Sequence, residues 1–217
     1  MTMHLHHVPG SRSFRVIWLL EELGLDYGLT AYDFADGGMR APDFLARSPA
    51  GKVPALDMDG ATVFESGAIV QVLCETAGRL APRPGDADRA PFLEWLHFAE
   101  TQAICLQNLN IQYNFIRPET ARSVPFIKLE TKRLAVTARA LNARLIGRDT
   151  MLDSGFSALD CMFGFNARAL FHFLPRADYP AIAAWWDRMQ ARPACARALT
   201  REGGDMFDRD FYDIPQE

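Results

Sequence analysis

The chain has 217 residues, 49% of them hydrophobic and 23% charged, a balance that supports a sizeable buried core in one large or two small domains. A formal charge of −4 argues against nucleic acid or an anionic membrane as partner, since both call for a basic face. No apolar run approaches the ~20 residues that cross a bilayer, and no leader pattern of basic segment and apolar core opens the chain.

Met3 to Val8 reads as a short strand ended by Pro9-Gly10. From Ser11 or Ser13 the pattern turns helical, with Phe14, Val16, Ile17, Trp18, Leu19, Leu20 and Leu23 forming a broad apolar face and Gly24 as stop. "LDYGLTAYDF" offers a second strand, residues 41–47 a short helix, and "SPAGK" a loop. In "VPALDMDGATVFE" two short apolar runs flank Asp59-Gly60, the dipeptide suited to a type I′ hairpin because both positions take positive φ. A third helix runs from Ser66 to about Ala77. The order β-α-β-α-β-β-α implies one parallel pairing and an antiparallel hairpin at the sheet edge.

"GRLAPRPGDADRAP" concentrates Pro, Gly and charge, and marks a domain boundary. The expected division is 1–79, a linker at 80–88, and 89–217. Beyond the boundary the pattern is almost wholly helical, over roughly 88–115, 122–146, 157–173, 179–191 and 194–202. Ser157 followed by Asp160 is a variant of the capping box. Cys74, Cys105, Cys161 and Cys195 lie far apart with no CxxC or Cys/His spacing. They read as buried thiols in a reducing compartment, with the cytoplasm as the expected location.

Two stretches carry chemistry. In "SPAGKVPAL" a proline follows Val53 at the start of a buried strand, where it cannot donate to the ladder. One resolution is a turn with a cis Val53-Pro54 bond, leaving the Val53 backbone to pair with an extended peptide; the other is a trans proline starting an edge strand. In "FESGAI" Ser66 stands where a helix begins, so its hydroxyl and the free amides of Ser66 and Gly67 make an anion site. Glu65 adds a carboxylate, a combination that suits a zwitterionic α-amino acid; the other reading is a plain N-cap preceded by a solvated acid.

Taken in order, "SRSFRVIWLLEELGLDY", "SPAGKVPAL", "FESGAIVQVL", "FSALDCMF" and "DYPAIAAWWDRMQARPACARAL" resemble the soluble glutathione transferases over essentially the whole chain. The resemblance implies a thioredoxin-like α/β domain joined to an all-helical domain, working as a homodimer, with glutathione as co-substrate and no cofactor. It implies that Val53 pairs its backbone with the cysteinyl portion of glutathione, that Pro54 is the cis proline, and that Glu65 and Ser66 hold the γ-glutamyl end. Lys52 falls near the glycyl carboxylate. The activity implied is attack of the glutathione thiolate on a hydrophobic electrophile or a peroxide. The alternative is a transferase-like binding or regulatory protein with little turnover.

In this family the thiol is activated where the first strand meets the first helix, by Tyr, Ser or Cys. "HHVPGSRSFRV" has neither Tyr nor Cys there, which counts against the classes that form a mixed disulfide with glutathione. Ser11 follows the Pro-Gly turn and is the first candidate. Ser13 reads rather as a helix cap, and Arg12 could stabilise a thiolate by charge. Serine suffices in magnitude. A thiol of pKa ~8.5 is only ~3% ionised at neutral pH, and a hydrogen bond to a charged group is worth ~1.5–3 kcal/mol, or about one to two pKa units. The helix N-terminus adds ~0.3–1 kcal/mol. His4, His6 and His7 cannot converge on a metal from one strand without distortion, because alternate residues face opposite sides. For the second substrate the candidates are His97 and Thr101, one helical turn apart in "EWLHFAETQ", with Tyr113, Phe115 and Phe163 as apolar wall. "MFDRDFYDIPQE" covers a cleft or lies on the surface.

Overall fold

A computed structural model of the protein describes residues 2–214. The strands are β1 (Met3–His7), β2 (Gly28–Ala31), β3 (Ala55–Met58) and β4 (Ala61–Phe64). The helices are α1 (Phe14–Leu23), α2 (Pro42–Leu45), α3 (Ser66–Ala77), α4 (Arg89–Asn110), α5 (Val124–Leu145), α6 (Ala158–Leu170), α7 (Pro180–Gln190) and α8 (Pro193–Glu202). They form two compact units. One runs to Pro82 and takes in Gln190–Met206; the other is Arg83–Met189 with the segment from Phe207 onward.

The first unit is built on a sheet of order β2-β1-β3-β4. β1 and β2 run parallel, as a strand pair bridged by a helix can, while β3 is antiparallel to both β1 and β4. Asp59 and Gly60 close the β3–β4 hairpin with φ of 48° and 88°, the positive pair that a type I′ turn needs. On α1, Phe14, Val16, Ile17, Trp18, Leu19 and Leu20 are all fully buried, and Gly24 ends the helix in the left-handed conformation. α8 also packs on α1, although the order of elements assigns residues 194–202 to the helical half. Charge explains the pairing in part: Arg192 donates to Glu22 at 2.7 and 2.8 Å and Arg197 to Glu21 at 2.7 Å, while Cys195 and Ala198 are buried.

The second unit is helical. Phe92, Leu109, Leu134, Leu141, Leu159 and Phe163 are fully buried in it, and α4 packs on both α5 and α6. Ser157 and Asp160 form the capping box that opens α6. Asp160 also ties down its surroundings, accepting from the Met151 N–H at 3.0 Å and from Trp185 Nε1 at 3.1 Å. The part of the tail up to Ile214 is described: the Tyr212 N–H donates to the His172 carbonyl at 2.8 Å, and its ring stacks on Phe173. Residues 215–217 of the expected tail element lie outside the described residues.

Candidate functional site

The alternation of β1 sends His4 and His6 to one face of the sheet and His7 to the other. His6 Nε2 sits 3.2 Å from Asp57 Oδ2 and its Nδ1 2.9 Å from the Tyr32 hydroxyl, while His4 Nε2 meets Thr30 Oγ1 at 2.7 Å. These rings are thus held by protein partners. Among the described residues no group of three His, Cys, Asp or Glu side chains is placed to hold a metal ion.

His7 is fully buried and starts a chain of short contacts. Its Nε2 lies 2.9 Å from the carbonyl oxygen of Glu202 on α8. A carbonyl can only accept, so Nε2 carries the proton, and in the neutral ring Nδ1 is an acceptor. Ser13 Oγ, 2.6 Å from Nδ1, therefore donates to it; the carbonyl of Val8, at 3.4 Å, is a poorer alternative. Ser11 Oγ is 2.5 Å from Ser13 Oγ. With Ser13's single hydroxyl proton spent on His7, Ser11 must be the donor in that bond. Burial lowers the pKa of His7, outweighing the Glu202 carbonyl that raises it, so the ring is neutral at neutral pH.

This arrangement corrects the capping role expected of Ser13. Ser13 stands at the start of α1 but makes no side-chain cap bond, because its hydroxyl is turned to His7. Ser11 supplies the local turn instead, its Oγ accepting the N–H of Ser13 at 3.2 Å. Arg12, between the two serines, is half-buried. Gly10 holds the loop down: its N–H donates to Glu202 Oε1 at 3.1 Å. Its φ is +73°, and a Cβ there would lie 2.5 Å from the Met206 backbone nitrogen. Gly10→Ala is expected to cost about 2–3 kcal/mol, combining left-handed strain with a backbone clash. Thermal unfolding would then show a Tm lower by several degrees; a Tm within about a degree of the native value would mean that the loop yields freely.

The second half of the site lies beside this loop. Carrying the β1–β3 register on from His6–Ala55 sets Val8 opposite Val53, and both pack in the small cluster of Met39 and Phe44. The Val53-Pro54 bond is cis. Val53 precedes the β3 ladder, which begins at Ala55, and Lys52 is exposed with its N–H donating to Ser48 Oγ at 3.2 Å. Glu65 is exposed and adopts φ of 70°, unusual for a residue with a side chain. It occupies the N-cap of α3, and Ser66, 4% exposed, is the first helical residue.

Ser66 has a partner that the sequence reading missed. Arg15 on α1 is fully buried, and its Nη1 donates to Ser66 Oγ at 2.9 Å. A buried guanidinium behind the first turn of α3 adds a full positive charge to the free amides and helix dipole there, and so makes that helix end more positive. A signal was present in the sequence. Arg15 interrupts an apolar face between Phe14 and Val16, where a charge needs a partner. Glu202 and its contact with His7 were missed as well, and for that contact no sequence signal exists, since 195 positions separate the two.

Among the residues expected to meet a second substrate, His97 and Thr101 are exposed on α4, with the Thr101 hydroxyl 3.5 Å from the His97 carbonyl. Tyr113 is buried and donates its hydroxyl to the Asp213 carbonyl at 2.8 Å. Its ring sits 4.8 Å from that of Tyr212. Phe163 is buried in the helical core, whereas Phe115 is 46% exposed.

Residues 1–74 match the family model described as "Glutathione S-transferase, N-terminal domain". Over 212 residues the chain is 30% identical to Glutathione S-transferase 3 of Schizosaccharomyces pombe, a match covering 91% of this chain and 86% of that protein. The chain belongs to the glutathione S-transferase family. It is also 31% identical over 207 residues to the disulfide-bond oxidoreductase YfcG of Escherichia coli (strain K12), covering 91% of this chain and 94% of that one. A sphingomonad glutathione S-transferase, solved in complex with glutathione, superposes with a TM-score of 0.78 at 30% identity, over 92% and 98% of the two chains. In the terms of this family, the sheet-bearing unit is the thioredoxin-like domain and the second unit the helical one.

Proposed function

We propose that this glutathione S-transferase binds reduced glutathione on its thioredoxin-like unit, ionises the thiol at residues 11–13, and presents the thiolate to an electrophile. Attack falls on carbon, giving conjugation, or on a peroxide oxygen. The observation that carries this reading is the neighbourhood of three elements: the Ser11 loop, the Val53-Pro54 turn that packs with Val8, and the α3 N-terminus backed by Arg15. Val53 offers its backbone to the cysteinyl residue. Ser66, with Arg15 behind it, takes the γ-glutamyl carboxylate, Glu65 the ammonium, and Lys52 the glycyl carboxylate. Ser11, Ser13 and Arg12 face the sulfur. His97 and Thr101, exposed on α4, are assigned to the second substrate together with Tyr113, which is buried in the same unit. A homodimer in a reducing cytoplasm accompanies this reading, in keeping with the four buried free cysteines.

Calorimetric titration with glutathione tests it. Binding should be evident, and Ser66→Ala should raise the Kd about tenfold, the worth of one hydrogen bond to a charged group. No heat at millimolar glutathione would instead favour a binding or regulatory protein of another kind. A second reading is suggested by the relative named as a disulfide-bond oxidoreductase, with a disulfide sulfur as the electrophile. The attacking sulfur would then be glutathione's own. All four protein thiols are buried, and burial pushes Cys74 up to about 12. Glutathione-dependent reduction of hydroxyethyl disulfide, compared with conjugation of an aryl halide, separates the two.

A further inference from the structure

Resting on that reading, we propose that His7 is the terminal proton acceptor of a buried relay, His7–Ser13–Ser11, through which the proton of the glutathione thiol leaves the sulfur. His7 touches no substrate; it acts through the two hydroxyls.

The hydrogen bonds already run in the required direction. The Glu202 carbonyl fixes the Nε2–H tautomer, Nδ1 accepts from Ser13, and Ser13 accepts from Ser11, over contacts of 2.9, 2.6 and 2.5 Å. Ser11's own hydroxyl proton is therefore directed inward, and its outward side offers a lone pair rather than a donor. A thiol arriving there as S–H meets an acceptor. The step is one concerted shift of three protons. The S–H bond breaks and its proton passes to Ser11 Oγ; the Ser11 proton passes to Ser13 Oγ; the Ser13 proton passes to His7 Nδ1. The products are a thiolate and an imidazolium. Every bond in the chain has reversed, so Ser11 now donates to the thiolate, Ser13 to Ser11, and His7 to Ser13. No co-reactant is needed, and atoms and charge balance within the complex.

This resolves a difficulty in the simpler account. A Ser11 hydroxyl committed to Ser13 cannot stabilise a thiolate until its proton is turned around, and the relay performs that reversal as it ionises the sulfur. Glu202 on α8 contributes its carbonyl to Nε2 and its carboxylate to the Gly10 N–H, while Arg15 on α1 is turned to Ser66. Burial keeps His7 neutral before ligand arrives, and the thiolate supplies the counter-charge once it forms. Pairing with an imidazolium is among the settings that bring a thiol pKa down to ~3.5–7.5.

The test is nitrogen-edited NMR of the protein labelled in its histidine rings, titrated at neutral pH with glutathione and with S-methylglutathione. Glutathione should convert the His7 ring from the Nε2–H neutral form to imidazolium, and S-methylglutathione, which has no thiol proton, should leave it neutral. His7→Asn supplies a second readout, because its amide oxygen can still accept from Ser13 but cannot take up a proton. Its Kd for S-methylglutathione should stay unchanged, while the thiol pKa of bound glutathione rises by about one unit or more. Glutathione bound as thiolate beside a neutral His7 ring overturns the relay and leaves the proposed function standing. Absence of any glutathione binding overturns both.

Discussion

Ser11→Ala should raise the pKa of bound glutathione's thiol by about one unit or more and lower kcat/KM at neutral pH by about tenfold or more, with little change in the Kd for S-methylglutathione, which has no thiol to ionise. Affinity is assigned to Val53, Glu65 and the Arg15–Ser66 pair, none of which the substitution touches. What it removes is the atom between the sulfur and Ser13, whose hydroxyl lies 2.5 Å from that of Ser11. A hydrogen bond to a thiolate is worth ~1.5–3 kcal/mol, and the helix N-terminus that remains supplies only ~0.3–1 kcal/mol. The bound thiol should therefore return towards ~8.5, where only ~3% is ionised at neutral pH. Ultraviolet titration of the thiolate band measures this directly. A titration identical to that of the native complex would remove Ser11 from the role and leave Arg12 or the loop amides.

Asp160→Ala should destabilise the helical unit by about 3–5 kcal/mol, read from urea unfolding, through a mechanism unrelated to catalysis. The carboxylate is fully buried and accepts from the N–H groups of Met151 and Ser157 and from Trp185 Nε1, at 3.0, 2.9 and 3.1 Å. Truncation strands three buried donors, at ~1–3 kcal/mol for each one left unsatisfied, with partial recovery if water enters. Burial also pushes the Asp160 carboxyl up to about 6 despite these donors. Its folded pKa thus exceeds the unfolded value of ~3.9, so the folded protein takes up a proton between the two. The contribution of this group to stability should increase as pH falls from about 6 to about 4 and be flat outside that window. Asp160→Asn should abolish that slope. A stability profile with the same slope in native and Asn proteins would place the titration elsewhere.

Local pattern carried a large part of this molecule. The apolar stripe from Phe14 to Leu23 ended by Gly24, the Asp59-Gly60 turn and the Ser157–Asp160 capping box are all determined within a few residues, and each appears where the pattern sets it. The Val53-Pro54 and Glu65-Ser66 pairs each left two local readings open, and the order of motifs along the whole chain, not the dipeptides, favoured the cis bond now seen at Val53-Pro54. The role of Ser13 was not legible. As an isolated serine before a helix it reads as a cap, and only its distance to His7 shows that the hydroxyl is spent inward.

By itself, then, the sequence determined the order of strands and helices and the residue types of the two motifs proposed for glutathione. These depend on periodicity, turn chemistry and capping, all of which act over one or two turns of chain. The tertiary structure alone decided the rest. It brought α8 onto α1, so that the Glu202 carbonyl fixes the tautomer of a histidine 195 positions away, and it aimed Arg15 at Ser66, 51 positions away. The direction of a hydrogen bond between two serines follows from what a third and a fourth group can accept, and those groups are neighbours only in the folded chain.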